Sequence, residues 1–231
     1  MNFLFYILPL FVIAWTIWDT FNYRKLKIAL KKGQRTALLK EYKVIVAGEL
    51  VSGAIALGAI GSTIFQPLPA FGINIGESAP NGLIVGGAIG LLASLFILPI
   101  LARQGKKVTF GDIAALLPQT HNEKLWFGLV AISAGFCEEL VFRGYALRLL
   151  HSMGLTGILL LLISAVAFGL VHIYQGVGGV LVTAALGAFL AVLYIQTGSL
   201  WWAILAHAFI DLRILLLPVS PERSVSPIDG R

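Results

Sequence analysis

Seven stretches of this chain, 2–21, 44–65, 81–101, 125–150, 156–174, 177–197 and 200–217, are predominantly apolar over close to the ~20 residues a helix needs to cross ~30 Å of hydrocarbon. No other feature limits the fold as strongly. Backbone groups inside lipid have no water to bond to, so such segments are expected to pair their own N–H and C=O groups as helices. Little chain is left for a soluble domain. Composition agrees, with 58% hydrophobic residues and 12% charged, against about 25% charged in soluble domains. The expected fold class is all-α: a polytopic membrane helical bundle of about seven transmembrane helices.

The net charge of +6 is a topology signal rather than a sign of nucleic acid. Eight of the seventeen basic residues (Arg24, Lys25, Lys27, Lys31, Lys32, Arg35, Lys40, Lys43) fall after the first span. Arg103, Lys106, Lys107 and Lys124 surround the connection after the third, and Arg213, Arg223 and Arg231 lie in or near the tail. In a seven-span chain these regions share one side, which the positive-inside rule assigns to the cytoplasm. The opposite connections, 66–80 and 198–199, hold no basic residue, and Arg148 is the exception. The expected location is a cell membrane, multi-pass, with the N-terminus outside, the C-terminus cytoplasmic, and the basic face near anionic lipid headgroups. The first span lacks a preceding basic residue and a small-residue cleavage pattern, so it reads as a retained anchor. A single cysteine, Cys137, excludes an internal disulfide.

Proline and glycine punctuate the chain. "FQPLPAFG" and "ESAPNG" bracket an extracytoplasmic loop. "GDIAALLPQTHNEKLW" reads as a short amphipathic helix at the cytoplasmic interface, stopped by Pro118, with the fourth span beginning near Trp126.

The ionisable residues assigned to the hydrocarbon are Glu49, Glu138, Glu139, Arg143, His172, His207 and Asp211. A charged group at a helix centre costs roughly 2.5 to 3.5 kcal/mol on insertion scales, so each is a candidate for function. Six of the seven sit in three of the last four spans. Glu139 and Arg143 are four apart and share a helical face, where they can pair. Glu138 points about 100° away on the helical period. The spacing therefore separates a neutralised glutamate from one left for general-base work, although a purely structural cluster of all three fits the same spacing. Phe168 and His172 in "FGLVHIY", and His207 and Asp211 in "HAFID", are likewise one turn apart. A lone histidine in a helix is more often a packing residue, but buried polar groups on three spans need partners. Their simplest joint solution is one hydrated cavity holding Glu138, His172, His207 and Asp211. That set matches either a ligand group for zinc or another divalent metal, or a base with oxyanion donors around a water. His121 and His151 read as solvated, Glu49 as snorkelling at the entrance of span two, and Cys137 as a small buried hydrophobe.

"EELVFR" (Glu138 to Arg143), "FGLVH" (Phe168 to His172) and "HAFID" (His207 to Asp211) resemble, in order and spacing, the motifs EExxxR, FxxxH and HxxxN/D of the CPBP intramembrane metalloprotease family. This is also called the CAAX protease and bacteriocin-processing, or Abi, family, and it includes the type II CAAX prenyl endopeptidases. The resemblance covers roughly residues 120–215. It implies 120–217 as a catalytic helical core, beside 1–119, which the apolar pattern makes N-terminal membrane helices (three spans) with cytoplasmic loops, and 218–231, a cytoplasmic tail. It implies that Glu138 activates water for peptide-bond cleavage with help from His172, that His207 and Asp211 complete the site or its metal, and that Glu139, Arg143 and Phe168 support it. The substrate would be a membrane-anchored peptide or protein, prenylated or not, met in or at the lipid bilayer. Asp211 departs from the asparagine of many relatives: an ionised aspartate cannot donate to an oxyanion, so it leans toward a metal or toward orienting His207. The alternative from another class is a non-catalytic bacteriocin self-immunity protein or scaffold on the same fold. An ion transporter could use the same groups, but carriers of that kind often show repeated halves, which are absent from this sequence.

Overall fold

The computed structural model describes residues 3–68, 79–104 and 112–217, and within them the chain is helical with no strand. The elements are α1 (Phe3–Lys31), α2 (Thr36–Ile60), α3 (Ala79–Arg103), α4 (His121–Glu139), α5 (Leu147–Ser152), α6 (Gly157–Leu170), α7 (Gly176–Thr197) and α8 (Leu200–Leu212). A π-helical segment, Leu140–Ala146, joins α4 to α5, so the eight helices make seven rods. Five rods are long and apolar enough to cross a membrane. The other two, α6 with 14 residues and α8 with 13, fall short of the ~20 needed. The all-α polytopic bundle expected from sequence is the observed one.

The rod α4–α5 is the centre. In its most apolar window 56% of residues are buried, against 0 to 33% in the other four long rods, which turn their apolar side chains outward. Phe96 and Val177 are 72% and 78% exposed, an arrangement suited to lipid rather than water. One core gathers Phe5 and Leu8 of α1, Ala56 of α2, Leu140 to Tyr145, Phe168 of α6, Tyr194 of α7 and Ile204 of α8. The approach of α4 to α8 depends on glycine. A Cβ at Gly135 would lie 2.7 Å from the backbone nitrogen of Ala208, closer than packed atoms tolerate, and this contact brings the two-glutamate turn to the helix carrying His207.

Two sequence expectations are corrected at the basic end. The supposed loop 24–43 is largely helix: α1 continues to Lys31 and α2 begins at Thr36. Lysine and arginine are good helix formers, and at ~1.5 Å per residue the 29 residues of α1 reach ~43 Å, well past the hydrocarbon. The supposed amphipathic helix before span four is a single 3₁₀ turn, Ala114–Leu116. Leu117, held extended by the following Pro118, breaks the run. α4 then starts at His121 rather than near Trp126, because Thr120 and Glu123 form a capping box. The expected loop through Glu77 and the tail with Arg223 and Arg231 lie largely or wholly outside the described residues, as do Lys106 and Lys107.

Contacts place the described basic regions together. Arg35 pairs with Glu123 at 2.8 Å and donates to the Leu117 carbonyl. Lys27 pairs with Asp112 at 2.7 Å. Leu212, Ile214 and Leu215 pack on the cluster of Tyr23, Leu26 and Leu38. Arg148, the lone basic residue on the other side, donates to the carbonyls of Gly144, Thr63 and Gln66, tying down chain ends there. The positive-inside rule applied to this arrangement predicts that reporter fusions at Lys32 and at Gly230 both read as cytoplasmic. An external reading at either position overturns the orientation.

Candidate active site

Each station of the site is set by a local feature of its helix. Glu138 and Glu139 close α4, immediately before the π segment. Glu139 points inward, where its fully buried carboxylate accepts from Arg143 Nη1 and meets His207 Nδ1, both at 2.7 Å on Oε1. Arg143 also donates to the Gly187 carbonyl of α7 at 2.9 Å and lies 4.5 Å over the Phe168 ring. This pair therefore ties α4, α7, α6 and α8 together. Phe168 stands edge-on to Phe142 and His207 and beside His172, forming the floor of the site.

His172 owes its position to a helix end. α6 stops at Leu170 and the His172 amide bonds to Gly169 rather than continuing the ladder. The Phe168 carbonyl, an orphan of the last turn, instead meets His172 Nδ1 at 2.9 Å. A carbonyl and a carboxylate can only accept, so in both histidines Nδ1 carries the proton. With Nδ1 so engaged, Nε2 is the ring atom that each histidine presents to the cavity. A break in the helix at this depth is tolerated where it lines a polar cavity.

The cavity has a volume of about 280 Å³, and Glu138, His172, His207 and Asp211 all line it. Glu138 Oε2 lies 3.9 Å from His172 Nε2 and 3.8 Å from His207 Nε2, and His207 Nε2 lies 3.8 Å from Asp211 Oδ2. Glu138 Oε2 is buried without a hydrogen-bond partner, an arrangement that calls for a ligand, a proton donor or a water. It is Glu139, and not Asp211, that meets His207 Nδ1; Asp211 faces the other nitrogen. Cys137 is buried, with its sulfur packed on Gly53 of α2, and His121 and His151 are exposed on helix ends rather than in connections.

Three residues of the site are not foreseen by the sequence. Glu49 does not snorkel: α2 begins at Thr36, which sets Glu49 near its middle, in the cavity with its carboxyl against that of Glu138. Asp19 of α1 also lines the cavity, as does Arg213, which by sequence belongs with the basic tail. Asp19 and Glu49 are visible as charges within apolar runs; their facing direction is not.

An enclosed carboxylate beside two oriented imidazoles forms the polar centre of this helical bundle. Residues 120–213 match the family model described as Rce1-like, type II CAAX prenyl endopeptidase. The match contains all three motifs. No curated protein and no solved structure matches the chain.

Proposed function

We propose that this chain is an intramembrane endopeptidase in which Glu138 activates a water against a peptide bond of a membrane-anchored substrate, prenylated or not. The observation that carries this reading is the orphaned Glu138 Oε2, 3.8 to 3.9 Å from two Nε2 atoms whose partner nitrogens are already occupied. A water between these atoms can give its proton to Glu138 as its oxygen attacks the carbonyl carbon. Glu138 then returns that proton to the amide nitrogen as the C–N bond breaks and the amine leaves. The water's second proton is held by the Nε2 lone pair of His172 or of His207, and Glu139 keeps His207 turned toward the water.

The same donors suit a divalent metal. Two Nε2 lone pairs, with Nδ1 held by a carbonyl and a carboxylate, and one unpartnered carboxylate oxygen are a zinc-type set with its outer hydrogen bonds in place. Among the described residues no group of three already stands at metal-binding distance, and donors of a tetrahedral site with bonds of ~2.0 to 2.1 Å would be about 3.4 Å apart, so a few tenths of an ångström of closure is needed. Glu138, His172 and His207 would hold the ion, which leaves the fourth position open for a water. A bound metal would lower the pKa of the water and polarise the carbonyl.

The test compares the termini of membrane proteins from cells carrying the intact chain with those from cells carrying Glu138→Gln. Termini that appear only with the intact chain support the protease. Identical sets, with a retained protective phenotype, support the self-immunity or scaffold alternative.

A further inference from the structure

The cavity wall is rich in carboxyl groups: Asp19 from α1, Glu49 from α2, Glu138 from α4 and Asp211 from α8 all line it. Attack of water on a peptide carbonyl moves negative charge onto the carbonyl oxygen. Away from bulk water that charge is opposed by each nearby carboxylate and relieved by each positioned donor, and an ionised carboxylate has no proton to offer. A donor from another residue type has to offset them. Four of the described lining residues carry a hydroxyl. Thr16, Ser52 and Thr183 each spend theirs on a carbonyl of their own helix, at 2.8 Å to Val12, Glu49 and Gly179. Tyr174 is the fourth: its hydroxyl accepts from Gln175 Nε2 at 3.1 Å and gives its own proton to no described residue. The guanidinium of Arg213 is turned to Ser94 of α3.

Tyr174 is placed by the same helix break that places His172. It lies two residues further on, in the 3₁₀ turn Ile173–Gln175 between α6 and α7, and its ring centroid is 6.2 Å from that of His172. Its hydroxyl is within electrostatic reach of Asp19, Glu138 and Asp211, which sets it among the reacting groups of the cavity. Behind it the ring packs at 5.2 Å on Tyr23 of α1, whose own hydroxyl donates to the Asp112 carbonyl. The Gln175 amide closes the turn on the His172 carbonyl at 2.9 Å, and the Asp112 amide donates to the Gln175 carbonyl at 2.8 Å. These bonds hold the phenol without a ligand, the condition under which a donor meets a developing charge with no reorganisation. A hydroxyl that accepts one hydrogen bond also donates more strongly.

We infer that Tyr174 is a further catalytic residue, its hydroxyl donating a hydrogen bond to the carbonyl oxygen of the bond under attack as that oxygen gains negative charge. The proton stays on Tyr174 throughout, and the bond weakens again when the tetrahedral intermediate collapses. This rests on the protease reading for the bond that is cut, but the donor can be measured by binding, without turnover. The purified full chain is titrated with the trifluoromethyl ketone of acetyl-Leu-Leu, which stands in water as a tetrahedral diol, and with the matching methyl ketone, which stays planar. The diol is expected to bind more tightly, and Tyr174→Phe, which removes only the hydroxyl, should cost it about tenfold in affinity, the worth of one strong hydrogen bond, with the methyl ketone bound as before. On a substrate found from the terminus comparison the same variant should lower kcat by about 10² to 10³, the usual effect of losing one such donor, with KM little changed, a split that a merely structural role would not produce. A thermal melt checks that the bundle is intact. If Tyr174→Phe fails to fold, Gln175→Leu, which leaves the phenol in place but unaimed, reads the same preference and should reduce it in part; an unchanged preference there overturns the donor. Equal binding of the two ketones, binding of neither, or a preference that survives Tyr174→Phe in a folded protein also overturns it. Cellular termini that depend on Glu138, alongside a surviving preference, would remove Tyr174 alone. A preference lost with Tyr174→Phe, alongside termini that Glu138→Gln leaves unchanged, would keep the donor and remove the protease.

Discussion

Glu138→Gln lowers peptide-bond cleavage by about 10² to 10⁴, the usual contribution of a positioned acid or base, while the protein accumulates in the membrane at close to its normal level. The glutamine has the same shape and still fills its place in the cavity wall, but its amide cannot take a proton from water at neutral pH. Little stability is at stake because Glu138 Oε2 has no hydrogen-bond partner to lose, and a neutral amide there removes a like charge from beside Glu49. Cleavage of a substrate identified from the terminus comparison, measured alongside membrane abundance, decides the matter. Full activity in this variant would remove Glu138 from the chemistry.

Glu139→Gln has a different expected result, a loss of about 3 to 5 kcal/mol of stability, the cost of breaking a buried ion pair by removing one partner. Arg143 is 1% exposed and its one charged hydrogen-bond partner among the described residues is Glu139, which it meets at 2.7 Å. With a neutral amide there, a guanidinium stays buried with only the Gly187 carbonyl and the Phe168 ring for company. His207 also loses the carboxylate that fixes its Nδ1 proton, so the surviving folded protein should cleave more slowly as well. Thermal melting in detergent and membrane abundance read the first effect, and specific activity per folded molecule reads the second. If Glu139→Gln melted like the unaltered protein yet were inactive, while Glu138→Gln remained active, the two glutamates would have exchanged roles.

The separation of these neighbours is legible in the amino-acid sequence. Adjacent residues on a helix point about 100° apart, so only one of Glu138 and Glu139 can share a face with Arg143. The candidate stations on the fourth, fifth and seventh spans are equally legible, because lipid makes each ionisable group costly and therefore conspicuous. The extent of α1 and α2 is less so. Hydropathy marks where the apolar run ends, whereas the helix continues through basic residues that favour it, and misjudging that end places Glu49 at a surface it does not reach. The capping box at Thr120 and Glu123 is present in the letters "THNE" and sets the start of α4.

By itself the sequence determined a membrane-embedded helical chain, the grouping of its basic residues, and the few side chains that could carry chemistry, because each follows from the cost of charge in hydrocarbon and from helical spacing. The tertiary structure decided which of those side chains meet. Gly135 against Ala208 sets α4 on α8, the end of α6 at Leu170 turns His172 onto its own helix's carbonyl, and Glu139 joins Arg143 to His207 across the bundle. Asp19, Glu49 and Arg213 enter the cavity through packing of α1, α2 and the turn after α8. A helical period gives the direction of a side chain about its own axis, but the neighbour it faces depends on how the rods pack, and that is a property of all of them together.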